Sequence, residues 1–138
     1  MNSELSTGGE WAKRFFAVTL FVDDLVRERQ WYSDVFAMPI VDESPENCVF
    51  RFPGGVFINL NALTALSGHV GPNPPAKAGE PSRTMLSLEV GDVDAVLQRV
   101  AALGVKPLVG PVDRPWGSRT ATIVDPSGTY WELFNPIA

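Results

Sequence analysis

The sequence predicts an α+β fold of two tandem βαβββ modules, and three observations support it. The segment Val18-Thr19-Leu20-Phe21-Val22-Asp23-Asp24-Leu25 is matched in character by Leu86-Ser87-Leu88-Glu89-Val90-Gly91-Asp92-Val93, with Thr19 and Ser87 68 positions apart. Further on, Gly55-Val56-Phe57-Ile58-Asn59-Leu60 is matched by Gly128-Thr129-Tyr130-Trp131-Glu132-Leu133 at a separation of 73, so the copies differ by a loop length and not in pattern. In each copy a short alternating apolar run leads through an Asp into helical spacing, the change of period expected where a strand feeds a helix.

Residues 1–13 read as a flexible leader, and 14–138 as one domain made of modules 14–63 and 84–136 joined by a linker, 64–83. Phe15 to Val22 alternates as a strand with Phe16, Val18, Leu20 and Val22 on one side. Asp24 is placed to cap the following helix, because its carboxylate can accept from unpaired first-turn amides. Leu25, Tyr32, Val35 and Phe36 give that helix its apolar side, Arg27, Glu28 and Arg29 its solvent side, and Pro39 its end. Cys48–Phe52 and Val56–Asn61 follow as strands around the turn Pro53-Gly54-Gly55. In the second copy, Leu86, Leu88 and Val90 mark a strand face. Val93, Val96, Leu97, Val100 and Ala101 follow amphipathic helical spacing, ended by Gly104. Lys106–Val109, Thr120–Val124 and Thr129–Phe134 complete three more strands, with Asp125-Pro126-Ser127-Gly128 as a tight turn. The linker carries four prolines and three glycines, which predicts neither helix nor strand and suits a lid.

With 138 residues and 45% hydrophobic content the chain has the size of one domain, and neither half alone would bury enough surface to be stable. Sixteen acidic against eleven basic residues, a net charge of -5, argue against a nucleic-acid partner, which needs a basic surface to neutralise phosphates. The single cysteine, Cys48, excludes an internal disulfide and fits a reducing compartment. Met1 to Glu10 is polar and lacks a signal-peptide core, and no run approaches the roughly 18 apolar residues of a membrane span. The expectation is a cytoplasmic protein with no membrane partner.

The doubled pattern, closed by Asp125-Pro126-Ser127-Gly128-Thr129-Tyr130-Trp131-Glu132-Leu133, resembles the vicinal oxygen chelate superfamily of glyoxalase I, extradiol dioxygenases, fosfomycin-resistance enzymes and bleomycin-resistance proteins. The resemblance spans about residues 14 to 136. It implies one curved, cup-shaped mixed sheet, with helices on the convex face and the ligand in the concave cup. It also implies that a catalytic metal would be held from Ala17, Asn59, Met85 and Glu132, two positions per module, which are repeat equivalents in pairs. Ala17 has no donor atom, Met85 offers a soft thioether, and Asn59 a weak carbonyl oxygen; only Glu132 is an ordinary ligand. A catalytic site needs about three protein ligands, so neither a metal nor another cofactor is expected. His69, the only histidine, falls in the linker and reads as a solvent-exposed loop residue.

Strand alternation then puts Ala17, Thr19, Phe21, Phe57, Asn59 and Asn61 on the cup side of the first module. Met85, Ser87, Glu89, Tyr130, Glu132 and Phe134 take the same side in the second. Aromatic walls with a few polar groups suit a small-molecule pocket. Phe21, Phe57, Tyr130 and Phe134 could stack on a planar ligand, and Glu132 could pair with a cation. Asp113-Arg114-Pro115-Trp116-Gly117-Ser118-Arg119 places Trp116 on a turn at the cup's mouth, and bleomycin-resistance proteins have a similar Pro-Trp-Gly-x-Arg stretch.

The ligand-binding residues expected are Thr19, Phe21, Phe57, Asn59, Asn61, Met85, Ser87, Trp116, Tyr130, Glu132 and Phe134. The function that follows is metal-free binding of an aromatic small molecule, cationic or neutral, in the concave cup of a homodimer. The alternative is an enzyme of the same superfamily, a lyase, isomerase or dioxygenase that is metal-dependent or uses Glu132 as general base.

Overall fold

The computed structural model describes residues 11–71, 75–77 and 80–138; residues 1–10 of the expected leader lie outside it. The first module runs β1 (Ala17–Val22), α1 (Leu25–Val35), β2 (Ile40–Ser44), β3 (Asn47–Phe52) and β4 (Val56–Ala62). A 3-10 turn (Leu63–Ala65) and α2 (Leu66–Val70) follow. The second module runs β5 (Met85–Glu89), α3 (Val93–Ala101), β6 (Val109–Arg114), β7 (Ser118–Val124) and β8 (Tyr130–Pro136). The α+β fold of two tandem βαβββ modules is therefore present. Each module closes its own four-stranded mixed sheet, ordered β1-β4-β3-β2 and β5-β8-β7-β6, so the expected sheet is divided in two.

The duplication is visible in the pairing register. Thr19 lies opposite Asn59 in the parallel β1–β4 pair, and Ser87 opposite Glu132 in the parallel β5–β8 pair. Both helices start in the same way: Asp24 accepts from the Arg27 amide and Asp92 from the Ala95 amide, each at 3.1 Å. The Asp125–Gly128 turn closes through the Gly128 amide on the Asp125 carbonyl at 3.0 Å, and Gly128 takes a φ of 96° that other residues rarely adopt.

Several local expectations fail for identifiable reasons. Strand β1 begins at Ala17 and not Phe15, and Phe16 leaves the core side to pack its ring 5.0 Å from Phe57. Strand β6 begins where the expected Lys106–Val109 strand ended, because Pro107 has no amide for the ladder, and Leu108 is the first residue to donate to β7, at 2.7 Å to the Thr122 carbonyl. Pro111 sits inside β6, which is an edge strand that can spare an amide, at an irregularity between Val109 and Val112. Helix α1 stops at Val35, and the left-handed Ala37 (φ 53°) turns the chain before Pro39 is reached. The linker does hold helix, since its prolines begin only at Pro72 and leave Leu63–Val70 free to coil. Ala101, expected on the apolar side of α3, is exposed.

One core serves both modules. Phe50, Ile58 and Leu60 from the first sheet and Ile123, Trp131 and Leu133 from the second are buried with Tyr32 and Val35 of α1 and with Phe36, which caps its end. Trp131 sits between the halves, 4.7 Å from the Phe36 ring and 5.4 Å from Phe52. Burying side chains of this size contributes about 1.5–3 kcal/mol each before the entropy of ordering is subtracted. Arg99 of α3 donates to the Val35 carbonyl at 2.7 Å, placing a cation at the negative end of α1.

Polar contacts also join the modules. The Tyr32 hydroxyl donates to Asp125 Oδ2 at 2.6 Å and accepts from Trp131 Nε1 at 2.9 Å. Asp125 Oδ1 accepts from the Ser127 and Thr129 amides at 3.0 and 2.8 Å, so the carboxylate that anchors the helix also shapes the turn. Glu28, expected at the solvent, is fully buried. It stands one turn from Tyr32 on the same helix face, where its Oε1 accepts from the Ser127 hydroxyl and its Oε2 has no partner among the described residues. Burial, and then the neighbouring Asp125 charge, push Glu28 from 4.5 up to about 7, against the opposing pull of Ser127 and Arg27.

Two predictions follow from this junction. Between pH 4.5 and 7 the folded chain holds the Glu28 proton that the unfolded chain has lost, so stability should fall as pH rises through that window, by up to about 3 kcal/mol. Glu28→Gln should flatten the dependence in thermal unfolding measured from pH 5 to 8, and an unaltered slope would remove Glu28 as its source. Tyr32→Phe strips Asp125 of a donor and Trp131 of an acceptor in a buried setting, so it should destabilise by about 2 kcal/mol in denaturant titration.

Candidate functional site

The helix-side residues of both sheets meet in the shared core, so the opposite faces point away from it, as alternation requires. The predicted site residues lie on those faces but do not all converge. Thr19 and Phe21 line a cavity of about 550 Å³ between β1, α2, linker residues such as Lys77 and Arg83, and the Ser127–Thr129 turn. Phe57 and Asn59 line a second recess, of about 300 Å³, with Phe16 and Val49. Asn59 and Asn61 line a third, of about 200 Å³, with Asn47, Glu46 and His69.

On the second sheet, Ser87, Trp116, Glu132 and Phe134 share a recess of about 290 Å³ with Ser118 and Thr120. Met85 and Tyr130 pair with each other further along the same face and do not line it. The cavity at Thr19 and Phe21 reaches both modules, but the recesses of Asn59 and of Glu132 each draw on one sheet, so the open faces of the two sheets form separate halves.

The second-sheet recess is the more fully built. Glu132 Oε1 accepts from the Ser87 hydroxyl at 2.9 Å across the β5–β8 pair, which fixes one carboxylate oxygen and leaves the other for a ligand. Trp116 occupies the turn between β6 and β7 and is 68% exposed. The Arg114 guanidinium lies 5.6 Å from its ring centroid, and Arg114 Nε donates to Thr120 Oγ1 at 3.0 Å, so the indole is backed by a cation that is itself tethered. Thr120 is buried beside Phe134, its cross-strand partner.

The family's metal positions can now be tested on their chemistry. Ala17 and Asn59 belong to one sheet, Met85 and Glu132 to the other. Asn59 is engaged by Asn47 and Thr19, and the Met85 thioether is exposed. No group of three or more His, Cys, Asp or Glu suited to an ion occurs among the described residues. This donor set does not fit a resident catalytic metal.

Several lining residues were not anticipated. Asn47 and Val49 of β3, and Ser118 and Thr120 of β7, come from the inner strands, and the same alternation that picked Asn59 and Glu132 would have found them. Arg114, the last residue of β6, and Glu46, in the β2–β3 turn, stand where periodicity gives no direction. His69, expected in a loop, is exposed on α2 at the rim of the first-sheet recess, with its ring 6.0 Å from Phe21. No helix among the described residues is long and apolar enough to cross a membrane.

Known proteins share this arrangement. A glyoxalase/bleomycin resistance protein/dioxygenase from Nocardioides superposes with a TM-score of 0.78 at 20% identity, covering 99% of this chain and 94% of that one. A lactoylglutathione lyase from Agrobacterium tumefaciens gives 0.70 at 24% identity, covering 89% and 93%. TnmS3, an antibiotic binding protein from Streptomyces sp. CB03234, gives 0.69 at 22% identity, covering 90% and 96%. At such identities these neighbours speak for the fold alone. The sequence model of the Glyoxalase/Bleomycin resistance protein/Dioxygenase superfamily matches residues 14–133, nearly the whole domain, and the chain belongs to that superfamily.

Proposed function

We propose that this protein binds a planar aromatic small molecule carrying a cationic group, without a metal of its own. The observation that carries the reading is the second-sheet recess, where one carboxylate, Glu132, shares the lining with exposed Trp116 and with Phe134 and has hydroxyls around it. Aromatic plates supply area, and the carboxylate selects charge. Glu132 has no second titratable group in the recess to complete an acid–base pair, which favours binding over general-base catalysis. That TnmS3 is an antibiotic binding protein on the same fold is consistent with this choice.

The half-cups of one chain need a facing half, and a second copy supplies it in a two-fold homodimer. The exposed apolar side chains of Phe15, Phe16, Val41 and Met85 support this, since association would cover them.

Titration with planar aromatic cations and their neutral isosteres should give saturable quenching of a signal from four tryptophans, and Trp116→Phe should remove most of the change. Glu132→Gln should weaken the cations roughly tenfold or more while sparing the neutral isosteres. If both variants leave every binding curve unaltered, the concave face is not the binding site. Light scattering at micromolar concentration should report two chains of 15.0 kDa per particle, and the mass of one chain would refute the dimer.

A further inference from the structure

The recess on the first sheet differs in kind from that on the second. Three carboxamides converge there because of register: Asn47 lies opposite Asn61 in the β3–β4 pair, and Asn59 stands two residues from Asn61 along β4 on the same face. The polar groups form a belt across all four strands. Ser44 Oγ donates to Asn47 Oδ1 at 2.6 Å, Asn47 Nδ2 to Asn59 Oδ1 at 3.4 Å, and Asn59 Nδ2 to Thr19 Oγ1 at 3.5 Å. The last two are long for N–H···O bonds, which cluster near 2.9–3.0 Å, so these amides can reorient toward a better partner.

Asn61 is the sharper observation. It is 5% exposed, lines this recess, and makes no side-chain hydrogen bond to another described residue. A buried carboxamide ordinarily has partners, and the recess that Asn61 lines is where a ligand would supply them. The complement of a carboxamide is the same pair reversed, a donor beside an acceptor, as on a primary carboxamide or a lactam edge. No lysine or arginine among the described residues lines the recess, and Glu46 adds a negative charge, so a carboxylate or phosphate in that place would be repelled. Its volume, about 200 Å³, suits one small ring or head group.

We infer that the first-sheet recess is a subsite for an uncharged amide-bearing head group, with Asn61 as the residue that recognises it. This rests on the reading that the concave faces hold the ligand, and it names what the first sheet grips while Glu132 and Trp116 hold the rest. His69 at the rim closes one side of the planar group.

The test uses benzamide, benzoate and benzamidinium as probes on the full chain, followed by nuclear magnetic resonance of the asparagine side-chain amides. Benzamide should shift them saturably at millimolar concentration, with benzoate at least tenfold weaker. Asn61→Asp leaves the shape and removes the donor, so it should invert the preference, with benzamidinium gaining at least tenfold over benzamide. Asn47→Ala, at a less buried position, should weaken benzamide several-fold and keeps the inference testable if Asn61→Asp fails to fold. Equal binding of benzamide and benzoate, no binding of either, or an unaltered ratio in the folded variants would overturn the subsite. Those results with the Trp116 quenching intact would leave the concave face as the ligand site, whereas loss of both would remove the two readings together.

Discussion

Because the Tyr32 hydroxyl donates to Asp125 and accepts from Trp131 at once, helix α1 of the first module is pinned to the β7–β8 turn of the second. The same Asp125 carboxylate takes two amides of that turn, so helix docking and turn shape cannot vary independently. Trp131 carries the constraint inward, since its ring packs on Phe36 and Phe52 of the first module while its strand belongs to the second sheet. Two halves that could not each sustain a core are thereby made to share one, and both concave faces are left on the outside of it.

This junction carries a penalty as well. Glu28 and Asp125 are two buried carboxyl groups in one small volume, and only Asp125 has a full set of donors. An apolar residue at position 28 would satisfy packing without the charge problem. The Ser127 hydroxyl and the Arg27 side chain, which reaches the Pro126 carbonyl at 3.1 Å, show the chain compensating for the acid without removing it.

What could be read from the sequence was what periodicity encodes. The repeat gave both modules and the inward faces, because Leu20 and Leu88 or Leu60 and Leu133 keep their character across the copies, and Asp24 was legible as a cap. It misplaced Glu28, since a charged residue in a helix is sent to solvent by any rule that sees composition and not a partner ninety-nine residues away. Strand β2, Ile40–Ser44, was implied by the module pattern but not located, as its residues are mostly exposed and lack alternation. For the site, alternation chose the side of each strand that faces away from the shared core. Whether two such faces come together depends on how the modules dock, and that is decided by side chains such as Tyr32 far from the faces themselves.

The common register makes the chain its own two-member alignment. Positions facing the core are held alike: Leu60 with Leu133, Phe50 with Ile123, Cys48 with Ala121. Positions on the open faces have drifted apart: Asn59 against Glu132, Asn61 against Phe134, Asn47 against Thr120. The two outward faces thus carry unlike groups, amides on one side and a carboxylate with an indole on the other, and under the proposed binding role they suit a guest with two unlike ends.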